Sequence, residues 1–226
     1  MLTPAQVEQY RELGYLVVPD VLGRELLAEV RRRVDAIVAD AAKVTAHTDV
    51  YDLEDTHSRG APRVRRIKTP HKHFPFFNEL TRSTRITSIL AQLIGPDIRL
   101  HGSKLNMKSA GYGAPVEWHQ DWAFYIHHAR LVHGSALNTS GKPRRLLLHE
   151  YTAADAWPLM GVANFDDFND RMVLGEPSVE PRIVPAPVRM PLPAAEHQGS
   201  IYENQRAAGR RFFETAAGRE RLIPAE

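Results

Sequence analysis

Apolar residues recur along this chain with two periods, and the change from one to the other divides it. Thr3-Pro4 reads as an N-cap with proline at the first helical position, opening a short helix that ends near Gly14. Tyr15-Leu16-Val17-Val18-Pro19 then reads as a short strand. Leu26, Leu27, Val30, Val34, Ile37 and Val38 follow at the three-to-four spacing of one helical face, and Arg31, Arg32 and Arg33 fall largely off it as a solvated run. From Thr45 to His73 the chain is polar and basic and reads as loop or edge structure. A third helix is predicted over Ser83 to Leu93, stopped by Gly95-Pro96.

From Ile98 to about Ala153 the period shortens to that of strands. Ile98 to His101 alternates, Lys104 to Lys108 alternates, and Arg145 to Tyr151 is a short apolar run with an aromatic end. Gly111 and Gly113 punctuate a turn between them. Beyond Pro158 come Pro177, Pro181, Pro185, Pro187, Pro191 and Pro193, a tract that can pack extended on a surface but cannot form a central strand. A short final helix is expected around Asn204 to Glu214, and there is no internal repeat.

Composition narrows the chemistry. The 226 residues, 43% hydrophobic and 25% charged, suit one soluble globular domain with a sizeable core. Lys+Arg 29 against Asp+Glu 27 gives +2, far from the balance of a dedicated nucleic-acid binder. With no cysteine, any metal must sit on His, Asp, Glu or water, and no disulfide or thiolate chemistry is open. The N-terminus lacks the basic and apolar regions of a secretory signal and no run approaches ~18 apolar residues, so no membrane partner and a cytoplasmic location are the default expectation. The sequence carries no signal for oligomeric state.

The most informative stretch is Val116-Glu117-Trp118-His119-Gln120-Asp121-Trp122. On a strand, positions two apart share a face, so His119 and Asp121 present an imidazole and a carboxylate side by side, as one metal requires. A hydrogen-bonded pair at a sheet edge is the alternative. A second histidine, His133, ends another alternating segment; two His and one carboxylate make the facial triad of non-haem iron oxygenases, with three positions open. It could equally be an ordinary strand-end residue. Arg144-Arg145 follow through the turn-rich Asn138 to Pro143, and a hairpin there would bring an arginine fork near the metal to pair with a carboxylate of a small acid. The two point to opposite faces, so only one can do so, and the other is expected in solvent.

Trp118-His119-Gln120-Asp121-Trp122, His133-Gly134-Ser135, Asn138-Thr139-Ser140 and Pro143-Arg144-Arg145, with Leu2-Thr3-Pro4 and Gly14-Tyr15, resemble the phytanoyl-CoA dioxygenase family of Fe(II)/2-oxoglutarate oxygenases. The resemblance implies a double-stranded β-helix (jelly roll, cupin-like), mainly β with flanking helices. It implies iron on His119, Asp121 and His133, and Arg144 on the distal carboxylate of 2-oxoglutarate, with Ser135 and Asn106 as further cosubstrate donors and Trp122 lining the pocket. The implied reaction consumes O2 and 2-oxoglutarate, releases succinate and CO2, and hydroxylates an unactivated C–H of a small molecule. Related halogenases lack the carboxylate that Asp121 supplies, which favours hydroxylation.

The basic cluster of Arg65, Arg66, Lys68, His71 and His73, with Lys104, is the candidate for substrate recognition, of an anionic group, against its reading as a solvated loop. His71 and His73 have no third ligand for a second metal. His127 shares the parity of His133. The family places several strands between its two-residue-spaced ligands and its distal histidine, which need at least roughly thirty residues. Here eleven residues, Trp122 to Val132, separate them. The seam falls at Tyr125/Ile126, either because a segment of the protein is absent from this chain or through a genuine internal deletion; the intact flanking motifs favour the first. The expected organisation is a single oxygenase domain over 1–226, mainly helical over 1–95, jelly-roll core strands over 96–157, and a proline-rich extension with a short helix over 158–226. A noncatalytic, degenerate cupin-like metal- or ligand-binding protein is the alternative.

Overall fold

The computed structural model describes residues 1–111, 115–119, 131–158, 161–183 and Phe213. Helix α1, Pro4–Leu13, starts at Thr3, whose side chain accepts from the Gln6 amide while Gln6 reaches back to the Thr3 amide, and ends on left-handed Gly14. Helix α2, Gly23–Asp40, buries Val30, Val34 and Ile37. Its arginines are not merely solvated: Arg32 and Arg33 pair with Glu29, and Arg33 lies 5.2 Å over the Phe76 ring.

A sheet follows where a loop was expected. Strand β1 is Tyr51–Leu53, β2 Val64–Lys68, and a single turn, α3, covers Pro70–His73. Strand β2 reads Val-Arg-Arg-Ile-Lys, which hides its alternation behind cations; Asp52 on β1 pairs with Arg66 and lies 3.9 Å from Lys68, so one carboxylate inside the sheet offsets part of this charge. The 1–95 segment is therefore not simply helical. Helices α4, Pro75–Thr81, and α5, Thr84–Ile94, come next, the latter where the third helix was expected. Tyr15–Pro19 forms no strand: Tyr15 and Val17 are exposed, with no neighbouring strand to pair.

The two alternating segments after Ile98 are one strand, β3, Ile98–Lys108, with its ladder shifted between Leu100 and Gly102. It pairs antiparallel with β6, Arg144–Ala153, along almost its whole length, and with β2 on its other side. The order is β1-β2-β3-β6, and β7, Met172–Leu174, pairs with the start of β3. A short helix, α6, Phe165–Asn169, precedes β7; no periodicity in the sequence announces this pair. Two further strands, β4, Val116–His119, and β5, His133–Ser135, form their own antiparallel ladder. Pro177 and Pro181 sit in irregular backbone, whereas the later prolines and most of the expected final helix lie outside the described residues.

Register assigns the sheet two unlike faces. Ile67, Leu105, Met107 and Leu147 pack on Val30, Val34, Ile37, Phe77 and Leu80 of the helices, and Ile98, Leu100 and Tyr151 pack on α5. Arg66, Lys104, Asn106, Lys108, Arg144, Leu146 and Glu150 occupy the opposite parity. On the helix side lies a small polar island. Tyr151 donates its hydroxyl to the Thr81 carbonyl at 3.0 Å, and His71 Nδ1 is 2.6 Å from Ser103 Oγ. His71 is thus held within the core. Among the described residues no group of three metal-ligating side chains forms.

His149 belongs to this island, and burial, with His71 beside it, pushes its imidazole down to about 4. A base depressed in the folded state contributes full stability above its ordinary value near 6.5 and loses it as pH falls toward 4, because the unfolded chain takes up the proton more readily. Urea unfolding should therefore show stability falling by on the order of 3 kcal/mol across that window. The variant His149→Leu should flatten the slope; an unchanged slope would place the acid-sensitive group elsewhere.

Candidate active site

His119 and His133 face each other across the β4–β5 ladder as register partners. Their ring centroids lie 4.2 Å apart at 51°. Each ring is oriented by a backbone carbonyl two residues upstream: His119 Nδ1 is 2.7 Å from Glu117 O, and His133 Nδ1 is 3.0 Å from Leu131 O. A carbonyl only accepts, so each Nδ1 carries the proton and the Nε2 lone pair is the one each neutral ring can give to a metal. Two imidazoles prepared in this way, side by side, fit a divalent transition metal. Asp121 and Trp122 lie outside the described residues, as do the Tyr125/Ile126 seam and His127.

The close approach of the two strands depends on Gly134. A Cβ there would stand 2.9 Å from Phe213 Cε2 and 3.0 Å from the Val116 carbonyl, so nothing larger fits. Phe213 stacks on Trp118 at 5.6 Å, and its amide donates to the Glu117 carboxylate at 3.3 Å.

Ser135 stands two residues beyond His133, and three side chains meet on it. Lys108, at the end of β3 and 6% exposed, donates through Nζ to Ser135 O and Ser135 Oγ, both at 2.9 Å, and to Ala136 O at 2.5 Å. Arg144 donates from Nη1 to Ser135 Oγ at 2.6 Å. Lys108 and Arg144 are register partners on adjacent strands, which places both cations on one face. Burial first, then the Arg144 charge, pushes the Lys108 ammonium down to about 8, with Glu54 opposing. Asn138 closes the turn, its Nδ2 donating to the carbonyls of Lys108, Ser109 and Lys142.

The sequence-predicted residues are thus sorted. His119, His133, Ser135 and Arg144 come together. Arg144 gets there differently than expected: β5 and β6 belong to separate ladders, so no hairpin joins them, and the Lys108–Ser135 contact does the work instead. Arg145 points the other way as expected, but is paired with Asp35 of α2 at 2.5 Å rather than left to solvent. Arg66, Lys68, Lys104 and Asn106 share the face of Lys108, and the Asn106 Oδ1 is buried without a hydrogen-bond donor, a vacancy that invites one from a ligand. Lys104 pairs with Glu150 at 2.7 Å. Arg65 falls at the shift in the β1–β2 register and is 5% exposed. Lys108 went unnoticed in the sequence because a lysine at a strand end ordinarily reads as solvated.

The fold is that of iron/2-oxoglutarate oxygenases. It superposes on EctD from S. alaskensis with bound Fe at a TM-score of 0.61, over 80% of this chain and 87% of that one, with 18% identity. It also matches the α-ketoglutarate-dependent carbocyclase SnoK from nogalamycin biosynthesis at 0.56, over 78% of this chain and 93% of that one, with 16% identity. The family model for phytanoyl-CoA dioxygenase (PhyH) matches residues 10–126, and the chain belongs to that family. It is an Fe(II)- and 2-oxoglutarate-dependent dioxygenase acting on a small molecule.

Among curated relatives, a probable alpha-ketoglutarate-dependent hypophosphite dioxygenase of Stutzerimonas stutzeri is 29% identical over 283 residues, covering 92% of this chain and 99% of that protein. That alignment is longer than the 226-residue chain, so part of the relative has no counterpart here. The ectoine dioxygenase of Streptomyces avermitilis is 27% identical over 122 residues, 54% of this chain and 39% of that protein. No helix among the described residues is long and apolar enough to cross a membrane.

Removing the Lys108 ammonium takes a charged donor from the Ser135 and Ala136 carbonyls and cuts the tie between the two ladders. Lys108→Met should cost about 3 kcal/mol in urea unfolding, and Arg144→Met, at an exposed position, less than about 1 kcal/mol. Equal losses would contradict this division.

Proposed function

We propose that His119, Asp121 and His133 hold Fe(II), that Arg144 with Ser135 and Asn106 receives 2-oxoglutarate, and that the protein hydroxylates a small anionic substrate. The observation that carries this reading is the facing imidazole pair, tied through Ser135 to Arg144. On this reading residues 1–226 make one domain of double-stranded β-helix type, with 1–95 against it, 96–157 as its strands, 158–226 as the extension, and an interruption at Tyr125/Ile126.

When bound, iron supplies dioxygen activation coupled to oxidation of 2-oxoglutarate to succinate and CO2, one oxygen atom entering succinate and the other the substrate. The chain's own residues do the rest. The fixed Nδ1–H bonds hold both imidazoles in the metal-binding tautomer. Arg144, which has a hydrogen bond from only one of its nitrogens, offers its remaining donors to the distal carboxylate, and Lys108 adds positive charge beside it. Asn106 lies on the same face to steady the cosubstrate.

The charge balance of the face supports an anionic substrate. Arg66 and Lys68 share the one carboxylate of Asp52, which leaves a cation in excess, whereas Lys104 is balanced by Glu150. Trp122 would close the pocket over it. Hypophosphite is the first probe, since the relative matched over 99% of its length carries that name, and ectoine is the second.

The test is succinate formation with Fe(II), 2-oxoglutarate and each probe. Turnover should require all three components, fall to background in Asp121→Ala, and in Arg144→Ala show a raised KM for 2-oxoglutarate more than a lowered kcat. Full turnover by Asp121→Ala would overturn the site assignment. Binding of iron without succinate formation from any probe would favour the noncatalytic binding protein.

A further inference from the structure

At the other end of β3 lies a charge that no carboxylate among the described residues pairs with. Arg99 is 1% exposed. Its guanidinium lies flat on Phe168 of α6, with Cζ 3.7 Å from the ring centroid. Nη1 donates to the Ala154 carbonyl at 3.0 Å, Nη2 reaches Asn169 Oδ1 at 3.5 Å, and Nε is buried with no partner. All of these neighbours are neutral. A buried cation ordinarily sits against a carboxylate, because the cost of leaving water is several kcal/mol per ion.

Among the described residues that line the cavity beside it, the carboxylate is that of Asp167, and it is committed elsewhere. Asp167 is paired with Arg171, which also donates from Nε to the Asp167 carbonyl at 3.1 Å. Arg171 is close enough to act on Arg99 as a like charge, and with burial it pushes the guanidinium below its ordinary value. Burial, against the opposing pull of Glu150, lowers His101 below its ordinary value, which disfavours a further positive charge beside Arg99. These groups wall a cavity of about 240 Å³, with Arg99, His101, Thr152, Asn164, Phe168 and Arg171 on its surface. That is smaller than the roughly 300–1,000 Å³ of drug-sized ligand pockets. The excess within it is a single positive charge.

We propose that this cavity is a second binding site, separate from the iron site, and that it takes a small monocarboxylate whose planar group supplies the counter-charge of Arg99. Arg99 and Lys108 are nine positions apart on β3, or about 30 Å at roughly 3.3 Å per residue, so the site is not a subsite of the cosubstrate pocket. A guanidinium with an unused Nε–H beside a cavity suits a carboxylate, which accepts two parallel hydrogen bonds.

Acetate is the probe. The protein is unfolded thermally in sodium acetate and, at equal ionic strength, in sodium chloride, with 2-oxoglutarate saturating so that Arg144 is occupied. The expected result is a saturable rise of a few degrees in Tm with acetate alone, lost in Arg99→Met and retained in Arg144→Ala. If Arg99→Met does not fold, Arg171→Gln serves instead: it leaves the Asp167 charge uncompensated at the cavity wall and should weaken acetate several-fold. A wild-type response equal to that of chloride overturns the site, as does an acetate response unchanged in whichever of these variants folds. Inorganic phosphate raising Tm more than acetate at equal concentration overturns the carboxylate assignment. Loss of the response in Arg144→Ala would return the effect to the cosubstrate pocket.

Discussion

The arrangement of the candidate active site depends on one buried ammonium. The β1-β2-β3-β6 sheet and the β4–β5 pair share no ladder, so among the described residues their strands are joined by side chains. Lys108 makes three hydrogen bonds to Ser135 and Ala136, and Asn138 returns two to the carbonyls at the end of β3. Burying a charge costs several kcal/mol unless oxygen acceptors surround it. Here they do, and the same bonds set the distance between the imidazole pair and Arg144. Where a misplacement of about 1 Å can cost two orders of magnitude in rate, a clamp of this kind is a functional element though it touches neither the metal nor the substrate.

The division of the sheet into unlike faces explains how a charged face persists in a protein of this size. Aliphatic and aromatic side chains of β2, β3 and β6 bury against α2, α4 and α5 on one side, which supplies the stabilising area. The other side is then free to carry Asp52, Arg66, Lys68, Lys104, Asn106, Lys108, Arg144 and Glu150. Most of these charges meet partners on neighbouring strands, so the face is ordered without a ligand. The excess of cations over carboxylates around Asp52 is what an anionic substrate would meet.

Local signals in the sequence were read well where the chain's own chemistry determines structure. Thr3-Pro4 and Gly14 delimit α1, the apolar stripe from Leu26 to Val38 delimits α2, and the spacing of His119 and His133 with Arg144 anticipated the cluster. Readings failed where tertiary pairing overrides local pattern. Strand β2 reads as a basic loop because the carboxylate that pairs with its cations, Asp52, lies twelve or more residues away in sequence. A hairpin is the expected route for Arg144, whereas the link is a lysine at the end of β3, more than thirty residues before it. The short spacing between Asp121 and His133 remains the most informative irregularity: the alignment with the hypophosphite dioxygenase relative runs longer than this chain, and the family match ends at residue 126, beside the seam.

The central claim, proposed above, is that two carbonyl-oriented imidazoles and the Asp121 carboxylate of the same His-x-Asp motif form one iron site. Anaerobic titration with Co(II) as a spectroscopic stand-in for Fe(II) tests it most directly, since d–d absorption reports coordination whether or not a substrate is known. The account predicts one ion per chain, displaced by Fe(II), with binding lost in His119→Ala, Asp121→Ala and His133→Ala and kept in Arg144→Ala. Wild-type affinity in His133→Ala would contradict it.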